Sequence, residues 1–111
     1  MDLKAFAEWV RGRWAIKAAP TDLAVAGLGL CGEAGEVVEH IKKLVRDRTG
    51  THVLDRDALK LELGDVLHYW AYLATHFNID VQEIIDANIA KLTAREARET
   101  LPNYMTPRPP T

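Results

Sequence analysis

Two pairs of acids, Glu33 with Glu36 and Glu62 with Asp65, stand at the same i, i+3 spacing in this chain of 111 residues. Residues three apart on a helix are neighbours, so each pair projects two carboxylates into one region of space. At ~100° per residue, Glu33 and Glu36 fall roughly 80° and 140° to one side of their apolar stripe, and Glu62 and Asp65 roughly 60° and 120° to the same side of theirs. If the two segments pack together, four anionic groups converge. Two like charges ~4 Å apart in a partly screened site repel by about 4 kcal/mol, and a divalent cation removes that repulsion. An all-oxygen donor set suits Mg²⁺, with Mn²⁺ as a substitute, and one cysteine, Cys31, cannot build a thiolate zinc cluster. The competing reading is four solvated surface acids.

A second group lies further along. Asn88, Lys91 and Arg95 fall within or beside an apolar stripe at spacings of three and four, and polar groups there need partners. A phosphate chain suits them, with Lys91 as a point charge and Arg95 as a forked donor. The alternative is a helix end at which both cations meet the dipole and the last carbonyls.

The elements that must position these groups are helical. Leu3, Phe6, Ala7, Val10 and Trp14 recur at helical spacing, which predicts a first helix over 2–17. Pro20-Thr21-Asp22 supplies a start signal for a long second helix reaching Arg46, with Leu23, Ala26, Leu30, Ala34, Val37, Ile41 and Leu44 as its stripe. Its glycines, Gly27, Gly29, Gly32 and Gly35, each cost up to ~1 kcal/mol in a helix interior, and close approach of another backbone or a ligand is the expected reason. The polar stretch 47–56 predicts a mobile loop. A third helix follows from about Asp57 on Leu59, Leu63, Val66, Trp70, Leu73 and Phe77, and Asn78 closes it. Asp80 with Glu83 suits a capping start for a fourth, on Val81, Ile84, Ile85, Ile89 and Leu92. The expectation is an all-α four-helix bundle over 1–100, small enough that subunit association would add useful core, and an extended proline-rich tail over 101–111.

Composition sets the outer limits. Fourteen Lys and Arg against 16 Asp and Glu give a net charge of -2, so no overall attraction for nucleic acid or an anionic membrane is expected. The longest apolar stretch, 23–32, is about half of the ~20 residues that cross a bilayer. With a single cysteine and no signal-peptide pattern after Met1, a reducing, cytoplasmic setting is expected.

Other residues carry weaker readings. His40 is close in angle to Glu33 and Glu36, and reads as a solvated or outer-sphere histidine in preference to a ligand. Asp65-x-x-His68 has the spacing of a di-iron site, but Glu36 is followed at i+3 by Glu39, so the matching histidine is missing. Trp14 and Trp70 read as packing, whereas Tyr69 and Tyr72 share the acid flank, where one of them could stack on a nucleobase. Lys42 and Lys43 read as surface.

Leu30-Cys31-Gly32-Glu33-Ala34-Gly35-Glu36-Val37, then Glu62-Leu63-Gly64-Asp65-Val66-Leu67, then Asn88-Ile89-Ala90-Lys91-Leu92 with Arg95, resemble the MazG-like, all-α nucleoside triphosphate pyrophosphohydrolases. The resemblance covers about residues 21 to 96. It implies Mg²⁺-dependent cleavage of a nucleoside triphosphate between the α- and β-phosphates, giving a monophosphate and pyrophosphate. Glu33, Glu36, Glu62 and Asp65 would be metal ligands, with Glu33 or Glu36 also taking the proton of the attacking water. Lys91 and Arg95 would hold phosphate oxygens, and Asn88 would be a further polar contact. It also implies a homodimer or homotetramer in which helices of two subunits make the bundle. The alternative is a non-catalytic helical module that retains the scaffold for oligomerisation or nucleotide binding.

Overall fold

A computed structural model describes residues 1–99; the expected tail over 101–111 lies outside the described residues. The chain forms α1 (Leu3–Ile16), α2 (Asp22–Arg46), α3 (Arg56–His76) and α4 (Val81–Glu99). Three starts are fixed by aspartates, whose side chains accept from the free N–H groups of the first turn. Asp2 accepts from Ala5 N at 2.8 Å, Asp55 from Ala58 N at 3.0 Å and Asp80 from Gln82 N at 3.0 Å. At α2 the Thr21 side chain makes no cap; Asp22 instead turns back to accept from Ala19 N at 3.0 Å, which holds the entering turn. The end of α3 is a Schellman turn: Ile79 N donates to Ala74 O at 2.8 Å, Asn78 N donates to Thr75 O at 3.1 Å, and Asn78 takes a positive φ of 57°.

Helix α3 is the centre of the arrangement, with α2 packed along it and α1 beside them; α4 rests lightly on α1. The buried core is made of small residues, Ala7, Val10, Ala26, Ala71, Ala74 and Val81, plus Tyr72. Trp14 stacks on Tyr72 with ring centroids 4.1 Å apart, and it and Trp70 pack on this core as expected. The radius of gyration is 18.5 Å, against about 13 Å for a compact chain of this size.

One expectation needs correction. The stripe read for α2 does not as a whole face its neighbour, since only Ala26 of it is buried, while Leu23, Ile41 and Leu44 are exposed. The covered side of α2 carries Ala26, Leu30 and Val37 of the stripe together with Gly29 and Glu33 on its flank. The physical reason is that hydrophobic periodicity reports every buried face of a helix at once, including any that a single chain leaves open. Likewise, close approach explains Gly29 alone; a Cβ at Gly27, Gly32 or Gly35 would meet nothing within 4 Å. The loop is more ordered in its bonding than its composition suggests. Asp47 accepts from Thr49 N at 3.0 Å and Thr49 Oγ1 at 2.6 Å, and from His52 N.

Candidate functional site

Tyr69 of α3 lies against Gly29 of α2, and His40 of α2 meets Glu62 of α3. The two helices therefore run antiparallel, with Glu33 and Glu36 between those contacts on one helix and Asp65 between them on the other. Glu33 and Glu62 are half-buried in the seam, while Glu36 and Asp65 stand at its exposed edge. The two i, i+3 pairs are thus brought to one stretch of one seam.

Their mutual repulsion is visible in proton affinity. The Glu33 carboxyl is held above its ordinary range, first by partial burial and then by the negative charges of Asp65, Glu36 and Glu62. Glu62 Oε2 is shut off from solvent without a well-formed hydrogen bond, and His40 Nε2 is its ion-pair neighbour when protonated. That places His40 on the acid group itself and not in solvent.

A buried carboxylate oxygen met only by His40, beside three further acids, is a donor set that fits a hard divalent cation. The side chains are not drawn into a finished coordination shell: among the described residues, no three His, Cys, Asp or Glu side chains form a group able to hold an ion as they stand.

The aromatic residues on this flank serve packing. Tyr72 is buried in the core, and burial, with the charge of Asp22, pushes its hydroxyl up from the ordinary range. Tyr69 fills the space over Gly29. Tyr69 stays half-buried against α2, while Tyr72 is buried under Trp14 of α1, contacts that angles counted on α3 alone cannot show. His68 accepts from Trp14 Nε1 at 2.9 Å. Burial lowers its pKa, with Asp65 opposing and Arg13 adding to the shift.

The cations of α4 are not brought to the acids within one chain. Asn88 and Lys91 line a shallow groove with Ile79, Glu83, Ile84 and Ala87, to which neither α2 nor α3 contributes. Arg95 is exposed one turn further on. Closer to the acids are two cations that the sequence reading did not single out, Arg13 and Lys17 of α1, which share an open cleft with Trp14 and His68. Their i, i+4 spacing was the available signal.

The profile of the MazG nucleotide pyrophosphohydrolase domain matches residues 24–98, a span that holds all four acids together with Asn88, Lys91 and Arg95. The chain belongs to the MazG family. A relative in Mycobacterium phage L5, the Gene 37 protein, is 39% identical over 77 residues, which is 68% of each chain; its name states no activity. No solved structure matches the chain. The MazG span leaves out the whole of α1 and its C-cap, and with them Arg13 and Lys17. Among the described residues, no helix is long and apolar enough to cross a membrane.

Proposed function

We propose that this MazG-family protein is a Mg²⁺-dependent pyrophosphohydrolase that cleaves a nucleoside or deoxynucleoside triphosphate between the α- and β-phosphates, releasing a monophosphate and pyrophosphate. The observation that carries this reading is the antiparallel α2–α3 seam, which brings Glu33 and Glu36 of one helix opposite the stretch of the other that holds Glu62 and Asp65. Four acids facing one another across a helix seam repel, and a bound cation offsets that repulsion. Glu33, Glu36, Glu62 and Asp65 would hold Mg²⁺, or Mn²⁺ in its place. Such an ion supplies charge neutralisation for the triphosphate and a lowered pKa for bound water.

The chain's own groups then divide the remaining work. Glu33, whose proton affinity is already raised, is suited to accept the proton of the attacking water. His40 holds Glu62 in place across the seam. Asn88, Lys91 and Arg95 hold phosphate oxygens, and they reach the acids of another subunit in a homodimer or homotetramer. The exposed apolar residues Leu28, Val38, Ile41 and Val45 of α2 and Leu61 and Leu63 of α3 support this association, since Leu28 is 75% and Val45 80% exposed. A cytoplasmic role in removing surplus or unwanted nucleotides fits this chemistry.

The loose spacing of the carboxylates in one chain favours a second reading, a scaffold that binds nucleotides without turnover. Incubating the purified protein with a panel of ordinary, deoxy and damaged triphosphates, with Mg²⁺ and with chelator, separates the two. Pyrophosphate released only with the metal is the expected result. Orthophosphate as sole product, or no turnover with any base, removes the hydrolase.

A further inference from the structure

Two cations, Arg13 in the last turn of α1 and Lys17 at its C-cap, lie on the side of the chain where α1 meets the second half of α3. Three other cations of α1, α2 and α3 sit beside carboxylates: Arg11 lies 3.8 Å from Glu8, Lys42 3.7 Å from Glu39 and Lys60 3.7 Å from Asp57. Arg13 and Lys17 have no carboxylate partner among the described residues. The Arg13 guanidinium instead lies over the Trp9 ring, 5.0 Å from its centroid. Like charges lining one cleft repel, so an anion placed between them would be stabilising.

The cleft that the pair lines has about 300 Å³ of space and is closed on its inner side by Trp14 and His68. That is the low end for a ligand site and suits a short run of phosphates better than a whole nucleotide. The bond from Trp14 Nε1 occupies His68 Nε2, so the ring's proton sits on Nδ1, which is a donor. His68 is one helical turn beyond Asp65 on α3, and its ring feels the charges of both Asp65 and Arg13. The cations therefore border the acid group through a single residue. A triphosphate carries more negative charge than one divalent ion cancels, and a neighbouring cationic shelf is what its far end requires.

We propose that the cleft of Arg13, Trp14, Lys17 and His68 is an anion subsite that takes the phosphate chain of a nucleotide held at the α2–α3 carboxylates. Arg13 and Lys17 are its charged contacts, and His68 is a neutral donor at its floor. The identity of the occupant rests on the nucleotide reading above; the site itself lies outside the MazG span.

The test uses the full chain and inorganic tripolyphosphate with Mg²⁺, followed by calorimetry at low and moderate salt. Arg13→Gln with Lys17→Gln should weaken tripolyphosphate binding by about tenfold or more, while Mg²⁺ alone binds as in the wild type. Arg13→Lys with Lys17→Arg, which keeps both charges, should stay within a few-fold of the wild type. A control with the same loss of charge elsewhere, Arg11→Gln with Lys60→Gln, should also bind normally. Helical circular dichroism verifies that each variant is folded. Unchanged affinity in the Arg13/Lys17 variant, an equal loss in the control, or no tripolyphosphate binding by the wild type overturns the subsite. The hydrolase reading fails separately, when the wild type releases no pyrophosphate from any triphosphate while tripolyphosphate still binds through Arg13 and Lys17.

Discussion

The ring of Tyr69 occupies the space that a side chain at Gly29 would need, with Tyr69 Cζ 2.5 Å from where the Cβ would stand. Gly29 is one turn before Glu33 and Tyr69 one turn after Asp65, so this contact sets how closely the acid-bearing stretches of α2 and α3 approach. Gly29→Ala should gain up to ~1 kcal/mol of helix propensity and lose about 1–3 kcal/mol to overpacking, for a net loss of stability. Gly12→Ala, where a Cβ would meet nothing within 4 Å, should show the gain alone. Urea midpoints of the two variants check the difference. If the Gly29 penalty persists undiminished in a Tyr69→Ala background, the contact is not its cause.

The acids should behave as a set that is unfavourable without metal. Glu36→Gln and Asp65→Asn are each expected to lower turnover by at least about a hundredfold while leaving helical content unchanged. In chelator, each should melt slightly above the wild type, because one repelling charge has gone. Wild-type turnover in either variant would contradict the ligand assignment.

Proton linkage gives a further check. The raised Glu33 pKa means that the folded protein holds this proton more tightly than the unfolded chain does. Its contribution to stability is therefore full below the ordinary glutamate range and is lost as pH rises through the raised value. Metal reverses the preference, since a bound cation favours the carboxylate. Mg²⁺ affinity should rise with pH across the mildly acidic range, with proton release on binding, and titration in buffers of different ionisation enthalpy measures it. Affinity independent of pH in this range would mean that Glu33 is not at the ion.

The interhelical loop has the opposite sign. Hydrogen bonds from the Thr49 side chain, the His52 backbone and the Thr49 backbone pull Asp47 down to about 2. Its support for the loop is present above the unfolded aspartate value and disappears as pH falls through the folded one. The protection of the Thr49 and His52 amides, taken relative to their intrinsic exchange rate at each pH, should therefore fall on acidification over that window. Asp47→Ala should bring the same loss of protection at neutral pH, with exchange in α3 unaffected.

Much of this protein was legible in its residue order. Local rules act within a few residues, so Asp2, Asp55, Asp80 and Asn78 mark helix ends wherever the helices go, and i, i+3 spacing pairs the acids whatever packs beside them. The MazG signature was readable for the same reason. Tertiary structure decided which face of each helix meets which neighbour. It turned Glu33, and not Ile41 or Leu44, toward α3; it put His40 on Glu62; it spent Tyr69 and Tyr72 on packing; and it brought Arg13 and Lys17 to the edge of the acid group while Lys91 and Arg95 stayed away. Periodicity sums over all the faces that a helix buries, within the chain or outside it. Only the packed arrangement separates them, because contact between residues far apart in sequence depends on helix crossing and on small residues such as Gly29 that permit it.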